Sequence, residues 1–432
     1  MRSSNPNCEE TFIRTYEKNG DLLETRILSS EEDYASGEFR RISKDNGLTW
    51  GEWEKRYDDK TDGRRGKISG SEEGDELLTG SFSSCEDPKT GCKVSVGSTF
   101  FYLKGHDVGY FNMWSKGEDN VRPHAYYTIE RQDGSKECRL IELEEGGADF
   151  DPQNPRNPAF IDKNRAMASD LMILPDGDLS FVLYPSMRIC CQRASQDVSA
   201  FFPSCPDMQH GLIIVRLHWN PSKSDYDFTL SNPIMLCDLQ SSRGIMEPKV
   251  LLLEGGRWMV IFRGSNTMID AWHTRTMTCT PGFKWFAVSD DEGKTFTPPM
   301  VWTFDTREAV YSPASISAYY ENKKTGRLYW IGNYVSEPRT IFGNTPRWPL
   351  VICEIDRQKG CLIKETLTEI DSLREGETAT ELSNPNLIEN RETGLLEIRL
   401  TKICMSWKDP ELTASRGNWY SEAWEYLLNF EE

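Results

Sequence analysis

Apolar residues along this chain come in short runs separated by turn residues, and no long stretch holds a helical period. The segment LMILPDGDLSFVLY (171–184) is one example, with two apolar runs joined by Pro-Asp-Gly. Asp-Gly supplies the positive φ of a tight turn, so the pattern predicts a β-hairpin. The same grammar recurs in IRTYEKNGDLLETR from 13, KVLLLEGGRWMVIFR from 249, ISAYYENKKTGRLYWIGNY from 316 and NLIENRETGLLEIRL from 386. A weaker copy, STFFYLKGHDVGYFNMW, starts at 98. Successive starts lie roughly 70–85 residues apart, which leaves room for two further strands per unit. The pattern therefore predicts one all-β domain, a six-bladed β-propeller with four-stranded antiparallel blades. The blades fall at approximately 8–80, 88–150, 160–240, 244–305, 308–372 and 378–432. Two packed β-sandwiches are the competing fold, but they do not call for so even an interval.

Two octapeptides, SKDNGLTW (43–50) and SDDEGKTF (289–296), share Ser-x-Asp-x-Gly-x-Thr followed by an aromatic residue. Each lies late in its unit, where the third and fourth strands of a blade should turn. Asp45 or Asp291 can accept hydrogen bonds from its own turn, and Gly47 or Gly293 permits a left-handed backbone. Trp50 or Phe296 then folds back on the blade. The motif reads as a turn staple rather than as chemistry.

This octapeptide resembles the Asp-box, or BNR repeat, of the sialidase-like superfamily. The resemblance implies a six-bladed propeller over essentially the whole chain, although Asp-boxes also occur in other propellers. MEPKVLLLEGGRWMVIFR resembles the sialidase segment in which a glutamate opens an innermost strand and an arginine closes the next, here Glu247 and Arg263. In that family the glutamate polarises a tyrosine nucleophile and the arginine holds the substrate carboxylate. TPRWPLVICEID resembles the segment with another carboxylate-binding arginine, here Arg347. ETRILSSEEDYASGEFRRISKDNG resembles the loop that carries the acid/base aspartate, placing Asp33 or Glu31 there. Two positions depart from the family. Its blade-one Arg-Ile-Pro is replaced by Glu9 or Glu10 in CEETFIRTY, and the slot of its blade-six tyrosine holds Leu382 in ELSNPNL.

The innermost strands of a propeller converge on its axis, and the residues before them line one rim. Those residues are polar here: Ser169-Asp170, Glu247-Pro248, Tyr311-Ser312-Pro313 and Ser383-Asn384-Pro385. Each proline fixes φ and is expected to hold the preceding residue extended. Asp170, Glu247 and Asp33 would then face one another, and two carboxylates across a scissile bond suffice for glycoside hydrolysis. Arg263, Arg347 and Arg188, at the end of the blade-three hairpin, would clamp a carboxylate-bearing sugar, with Ser312 and Asn384 beside them. The plainer alternative is that such side chains only satisfy neighbouring backbone N–H groups.

Other features add alternatives. His106 and His124 lie in one unit, and with Tyr311 and Arg263 they could abstract the proton beside a uronate carboxylate, as in propeller-fold polysaccharide lyases. Phe201, Phe202 and Trp348 are candidates for sugar-stacking walls or inter-blade core. Residues 190–211 lack hairpin grammar and read as a long loop. Twelve scattered cysteines show no zinc spacing, and Cys85 and Cys92 could close a small loop. The formal net charge of −18 argues against nucleic acid as a partner. No apolar stretch suggests a membrane span, so a soluble protein is expected, secreted if a signal peptide has been removed and otherwise cytoplasmic.

These readings converge on an exo-type glycoside hydrolase of the sialidase-like superfamily, with no cofactor and no metal-ligand cluster. Its substrate would be a carbohydrate, an acidic sugar among the candidates. A polysaccharide lyase and a carbohydrate-binding propeller without turnover are the alternatives.

Overall fold

The computed structural model describes residues 8–29, 35–58, 66–67, 76–103, 121–146, 157–266, 281–375, 377, 379–405 and 419–430. They form six antiparallel sheets in chain order, a six-bladed β-propeller. Blade one is β1 (Glu9–Tyr16), β2 (Leu22–Ser29), β3 (Gly37–Ser43) and β4 (Glu54–Asp58). Blade two is β5 (Gly66–Lys67), β6 (Glu76–Glu86), β7 (Lys93–Tyr102), β8 (Val121–Glu130) and β9 (Lys136–Leu140). Blade three is β10 (Ala166–Ile173), β11 (Leu179–Pro185), β12 (Ile213–Asn220) and β13 (Asp225–Leu230). Blade four is β14 (Met246–Leu252), β15 (Trp258–Arg263), β16 (Lys284–Ser289) and β17 (Met300–Val301). Blade five is β18 (Ala318–Glu321), β19 (Leu328–Asn333), β20 (Leu350–Ile355) and β21 (Thr368–Asp371). In blade six, β22 (Ala379–Glu381) and β23 (Asn386–Glu389) are two pieces of one inner strand, paired with opposite ends of β24 (Leu396–Met405). β25 (Trp419–Leu428) flanks β24 on its other side.

Side chains alternate across each blade, so a middle strand gives one set to the preceding blade and the other to the next. On β11, Phe181 and Leu183 join the core shared with blade two, while Val182 joins the core shared with blade four. On β15, Val260 and Phe262 face blade three, and Met259 and Ile261 face blade five. Burial on both faces explains why these strands read as continuous apolar runs rather than as alternating ones.

The seam between blades six and one is built differently. Glu24, 1% exposed, meets Arg14 (3.0 Å), Arg41 (2.7 Å) and Arg399 (3.1 Å). Arg14 and Arg399 also reach Glu425, and Arg14 reaches Glu397. Hydroxyls add to this closure: the Oγ of Ser421 accepts from Glu10 N–H and donates to the Cys8 carbonyl.

Both octapeptides turn between the third and fourth strands of their blades, as expected from their position. In the first, Asp45 Oδ1 accepts from Thr49 N–H at 2.8 Å and Ser43 Oγ accepts from Gly47 N–H at 2.7 Å. In the second, Asp291 and Ser289 accept the equivalent bonds at 2.8 and 3.0 Å. Hydrogen bonds from the threonines, Thr49 and Thr295, hold both aspartates well below the usual range, at about 2. Each turn is also tied to the preceding blade. Asn46 donates to Asn390 of blade six, and Phe296 N–H donates to Asn232, just beyond the last strand of blade three.

Three expectations are corrected. The hairpin expected from 98 starts within β7 and its remainder from 104 lies outside the described residues; the blade's first hairpin joins β6 to β7 through a turn where Asp87 accepts from Lys89 N–H and Thr90 Oγ1. β6 therefore crosses the boundary expected between residues 80 and 88. Residues 190–211 are not an irregular loop, because the helix Met187–Arg193 and the helix Val198–Phe201 run through them. Ser186 and Asp197 cap these helices, and Met187, Cys190, Cys191 and Phe202 are buried together beneath them. Glu247 and Asn384, which precede prolines, are not extended but left-handed, at φ 47° and 61°.

The seam makes a direct prediction. Replacing Glu24 with Ala strips a buried carboxylate from three guanidinium groups, and breaking such a network costs about 3–5 kcal/mol. Denaturant unfolding of Glu24→Ala should register a loss of this size. A change under 1 kcal/mol would mean the seam is held by other contacts.

Candidate functional site

The two ends of the propeller differ. At one end the first two strands of each blade are joined by short turns, such as 174–178, 253–257 and 322–327. At the other end the second and third strands are joined by long connections, such as 186–212, 264–283 and 334–349. Long connections on a rigid scaffold commonly carry binding or catalytic groups. The inner strands begin at this second end, and three of them are broken there in the same way. β10 has a bulge between Ser169 and Met172 with Asp170 at φ 56°. β14 has a bulge between Met246 and Lys249 at Glu247. The split inner strand of blade six places Asn384 at its break. Left-handed residues other than glycine are uncommon and collect at functional sites.

Glu247 lies in a fork with Arg263, whose Nε and Nη2 approach the two carboxylate oxygens at 2.5 Å each. Arg263 is buried at the end of β15, and its Nη1 donates to the Ala314 carbonyl. Arg347, just before β20, donates to Glu381 at 2.8 Å and reaches the same Ala314 carbonyl at 3.5 Å. Asp170 accepts from Lys249 of blade four at 3.0 Å. The structure thus brings together Glu247, Arg263 and Arg347, with Asp170 on the neighbouring inner strand. Tyr184, at the end of β11, shares a 2.7 Å hydrogen bond with Ser169 and lies within the field of Asp170, Glu247 and Arg263. Burial pushes its phenol well above the usual tyrosine range, so it remains a hydrogen-bond donor.

Other expected residues go elsewhere. Arg188 lies on a helix, not at a hairpin end, and is bound to Glu144 (2.6 Å) and Asp207 (2.7 Å). Ser312 is fully buried, with its hydroxyl on the Pro313 carbonyl. Tyr311 stacks on Phe283 at 5.4 Å. Asn384 is exposed at the break of the inner strand. Asp33, Glu31 and His106 lie outside the described residues. His124 is enclosed, stacked on Phe160 with Nε2 2.6 Å from its carbonyl, and burial lowers its pKa to about 4. It belongs to the core, as do Phe202 and the partly buried Trp348. Leu382 is fully buried, and the acid beside it, Glu381, is the group that meets Arg347. Cys85 and Cys92 are not bridged to each other. No helix among the described residues is long and apolar enough to cross a membrane, and those residues contain no metal-ligating cluster.

Sequence reading missed two residues. Lys284 opens β16 opposite Arg263, is 2% exposed, and donates its Nζ to the Ser315 carbonyl. Burial, reinforced by Arg263 and Arg347 against the opposing pull of Glu247, lowers its pKa to about 7. Three cations therefore end on two consecutive carbonyls, Ala314 and Ser315. Phe342 is 61% exposed on a turn closed by two backbone bonds with Thr345. That turn is pinned by Asn266 of blade four, which accepts from Gly343 N–H at 2.7 Å, and by Ala314 N–H on the Gly343 carbonyl at 2.8 Å. An exposed ring on a turn pinned to Ala314, whose carbonyl takes the arginine pair, suits stacking against a sugar. Lys284 is readable only as the charge at the start of an apolar run, and Phe342 carries no local signal.

No protein-family profile matches the sequence, and no curated protein matches it. Solved structures similar to this chain include a protein of unknown function from Dyadobacter fermentans, 12% identical over 97% of this chain and 95% of that one, with a TM-score of 0.47. The NanB sialidase of Streptococcus pneumoniae is 11% identical over 93% of this chain and 66% of that one, with a TM-score of 0.47. The α-L-arabinofuranosidase Arb93A of Fusarium graminearum is 12% identical over 97% and 93%, with a TM-score of 0.45. No residue role is transferred from them.

Lys284 gives this site a pH signature in stability. Its folded pKa of about 7 lies below the ordinary lysine value of 10.5, so the unfolded chain holds the proton longer. Between those values the unfolded state binds more protons, and stability from this group rises with pH, at most by about 1.4 kcal/mol per unit. Below pH 7 both states are protonated and the cost of burying the charge is fully present. Urea unfolding of wild type against Lys284→Met should show the wild type gaining on the variant from pH 7 to 10. Parallel profiles would exclude a shifted Lys284.

Proposed function

We propose that this propeller is a glycoside hydrolase of the sialidase-like superfamily, cleaving an exposed terminal sugar, an acidic one among the candidates. The observation that carries this reading is Glu247. It sits on a left-handed bulge at the axis end with long connections, in a fork with Arg263, whose other arm shares the Ala314 carbonyl with Arg347. A carboxylate paired with a guanidinium accepts protons rather than supplies them, so Glu247 takes the base or nucleophile role. The complementary acid role falls to Asp33, beyond the described residues, or to Asp170 once substrate displaces its Lys249 partner. Arg263 and Arg347 orient the sugar, and Phe342 offers its ring to an apolar sugar face. The two octapeptides support the superfamily assignment through their shared turn chemistry.

The second reading is a carbohydrate-binding propeller without turnover. It draws on one observation: both arginines are already engaged by Glu247 and Glu381, which partly neutralises a carboxylate clamp. The lyase reading has lost one of its two histidines, since His124 is enclosed by Phe101 and Phe160, while His106 lies outside the described residues.

Wild type and Glu247→Gln should be assayed on aryl sialosides, other aryl glycosides and uronate polysaccharides, following sugar release and ultraviolet absorbance together. Loss of the carboxylate should lower kcat on the cleaved substrate by roughly 10²–10⁴-fold. If neither protein releases sugar while a sugar raises the melting temperature of both equally, the binding propeller is the better account. Phe342→Ala separates sugar stacking from chemistry. Its expected result is KM raised about tenfold at unchanged melting temperature, since stacking on an exposed ring is worth about 1 kcal/mol or more. An unchanged KM would remove Phe342 from the site.

A further inference from the structure

We propose that the opposite end of the propeller carries a second ligand site, one that binds an oxyanion group, sulfate or phosphate, free or borne on a sugar. A cavity of about 520 Å³ opens there, within the usual range for small-molecule sites. Three consecutive blades enclose it. Blade one gives Arg14, Thr15 and Tyr16 at the end of β1; the blade-five turn gives Lys323 and Lys324; blade six gives β23 and the turn through Arg391. The inner strands run from the bulge end to this end. Eight residues of β1 therefore set the two sites roughly 25 Å apart.

The charge of the lining is out of character for this chain. Against a formal net charge of −18, the cavity presents Arg14, Lys323, Lys324 and Arg391 with only Glu389 and Glu392. Arg14 is spent on Glu24, Glu397 and Glu425, which leaves Lys323, Lys324 and Arg391 against Glu389 and Glu392, an excess of one positive charge. Lys323 and Lys324 have no ion-pair partner among the described residues. A local excess of positive charge in an acidic surface is the electrostatic mark of an anion site.

The wall is also pre-organised. The Arg391 guanidinium lies 4.0 Å over the Tyr16 ring, and its backbone N–H donates to the Tyr16 hydroxyl at 3.1 Å. That hydroxyl donates to Asn46 at 2.6 Å, and Asn46 donates to Asn390 at 3.0 Å. Arg391 is thus held with its N–H edge available for the planar pairing that oxyanions favour. Its cations come from blade five (Lys323, Lys324) and blade six (Arg391, stacked on Tyr16 of blade one), so a bound anion ties neighbouring blades together beside the seam. Occupancy should therefore appear directly as thermal stabilisation.

The test is a melting series of the full chain in sodium phosphate, in a heparin-type sulfated disaccharide with its desulfated counterpart, and in sodium chloride at matched ionic strength. The comparison protein is Lys323→Ala/Lys324→Ala/Arg391→Ala, checked for an intact fold by its unliganded melt. The wild type should gain melting temperature with phosphate beyond the chloride control. Isothermal titration with phosphate should show the triple variant at least about tenfold weaker, since each charge-assisted bond lost is worth about that much. Binding of the sulfated disaccharide but not the desulfated one assigns the site to sugar-borne oxyanions; phosphate binding alone assigns it to the free ion. A shift equal to that in chloride, or an equal shift in wild type and variant, overturns the proposal.

Discussion

A ring of blades is only as sound as its last junction. Backbone connects each blade to the next except where blade six meets blade one, and that junction rests on side chains. The junctions from blade two to blade six are apolar layers, such as Val182 and Ile214 against Val260 and Trp285. Here three arginines and three glutamates, with Glu24 at the centre, must all find partners at once. An apolar layer tolerates small slips, whereas a balanced set of buried charges is satisfied in one register only. The first octapeptide belongs to this seam. Trp50 lies beneath Arg14 and Arg41 at 5.0 and 4.7 Å, while Asn46 crosses to Asn390. Its second copy is tied to blade three instead, through Phe296 with Asn232 and Glu292 with Arg216. One local turn thus does two architectural jobs, depending on what its neighbours offer.

Closure fixes the positions of the inner strands, and that allows their starts to be strained. A left-handed residue other than glycine costs on the order of 1–3 kcal/mol. Asp170 and Glu247 accept that cost where a bulge turns their side chains away from the ladder. Arg263 and Lys249 then hold the two carboxylates by ion pairs that bridge strands or blades. The carboxylates remain about a third exposed while Arg263 is 7% exposed, so two carboxylates face solvent over a buried support.

Much of this fold was legible in the sequence because hairpin turns are local. Asn19-Gly20, Asp176-Gly177 and Gly255-Gly256 all adopt the positive φ that their glycines imply. Blade two misled because its first turn, Asp87–Gly91, relies on side-chain bonds from Asp87 and precedes the apolar run that drew attention. Glu247 stood out at a polar strand start, and Arg263 and Arg347 through the resemblance of their segments to sialidase ones; the structure places the three together. Lys284 and Phe342 were not legible, because what defines them is distant in the chain: Ser315 for the lysine, Asn266 and Ala314 for the turn that carries the phenylalanine. Arg188 was misplaced because a buried helical segment, capped by Ser186, follows the strand where a hairpin end was expected.

The charge count at the bulge end explains why one buried lysine matters to the chemistry. Arg263 pairs with Glu247, Arg347 with Glu381 and Lys249 with Asp170, so three cations and three carboxylates cancel. Lys284 is the fourth cation and is matched only by a carbonyl. With its pKa near 7, the site carries one unmatched positive charge in mildly acid solution and none in alkaline solution. On the proposed hydrolase reading, an acidic sugar would meet that single charge as well as the two arginines, which Glu247 and Glu381 already engage. On that same reading, binding of an anionic sugar is expected to weaken as pH rises through neutrality, and binding of a neutral sugar, held by stacking and hydrogen bonds, to stay unchanged.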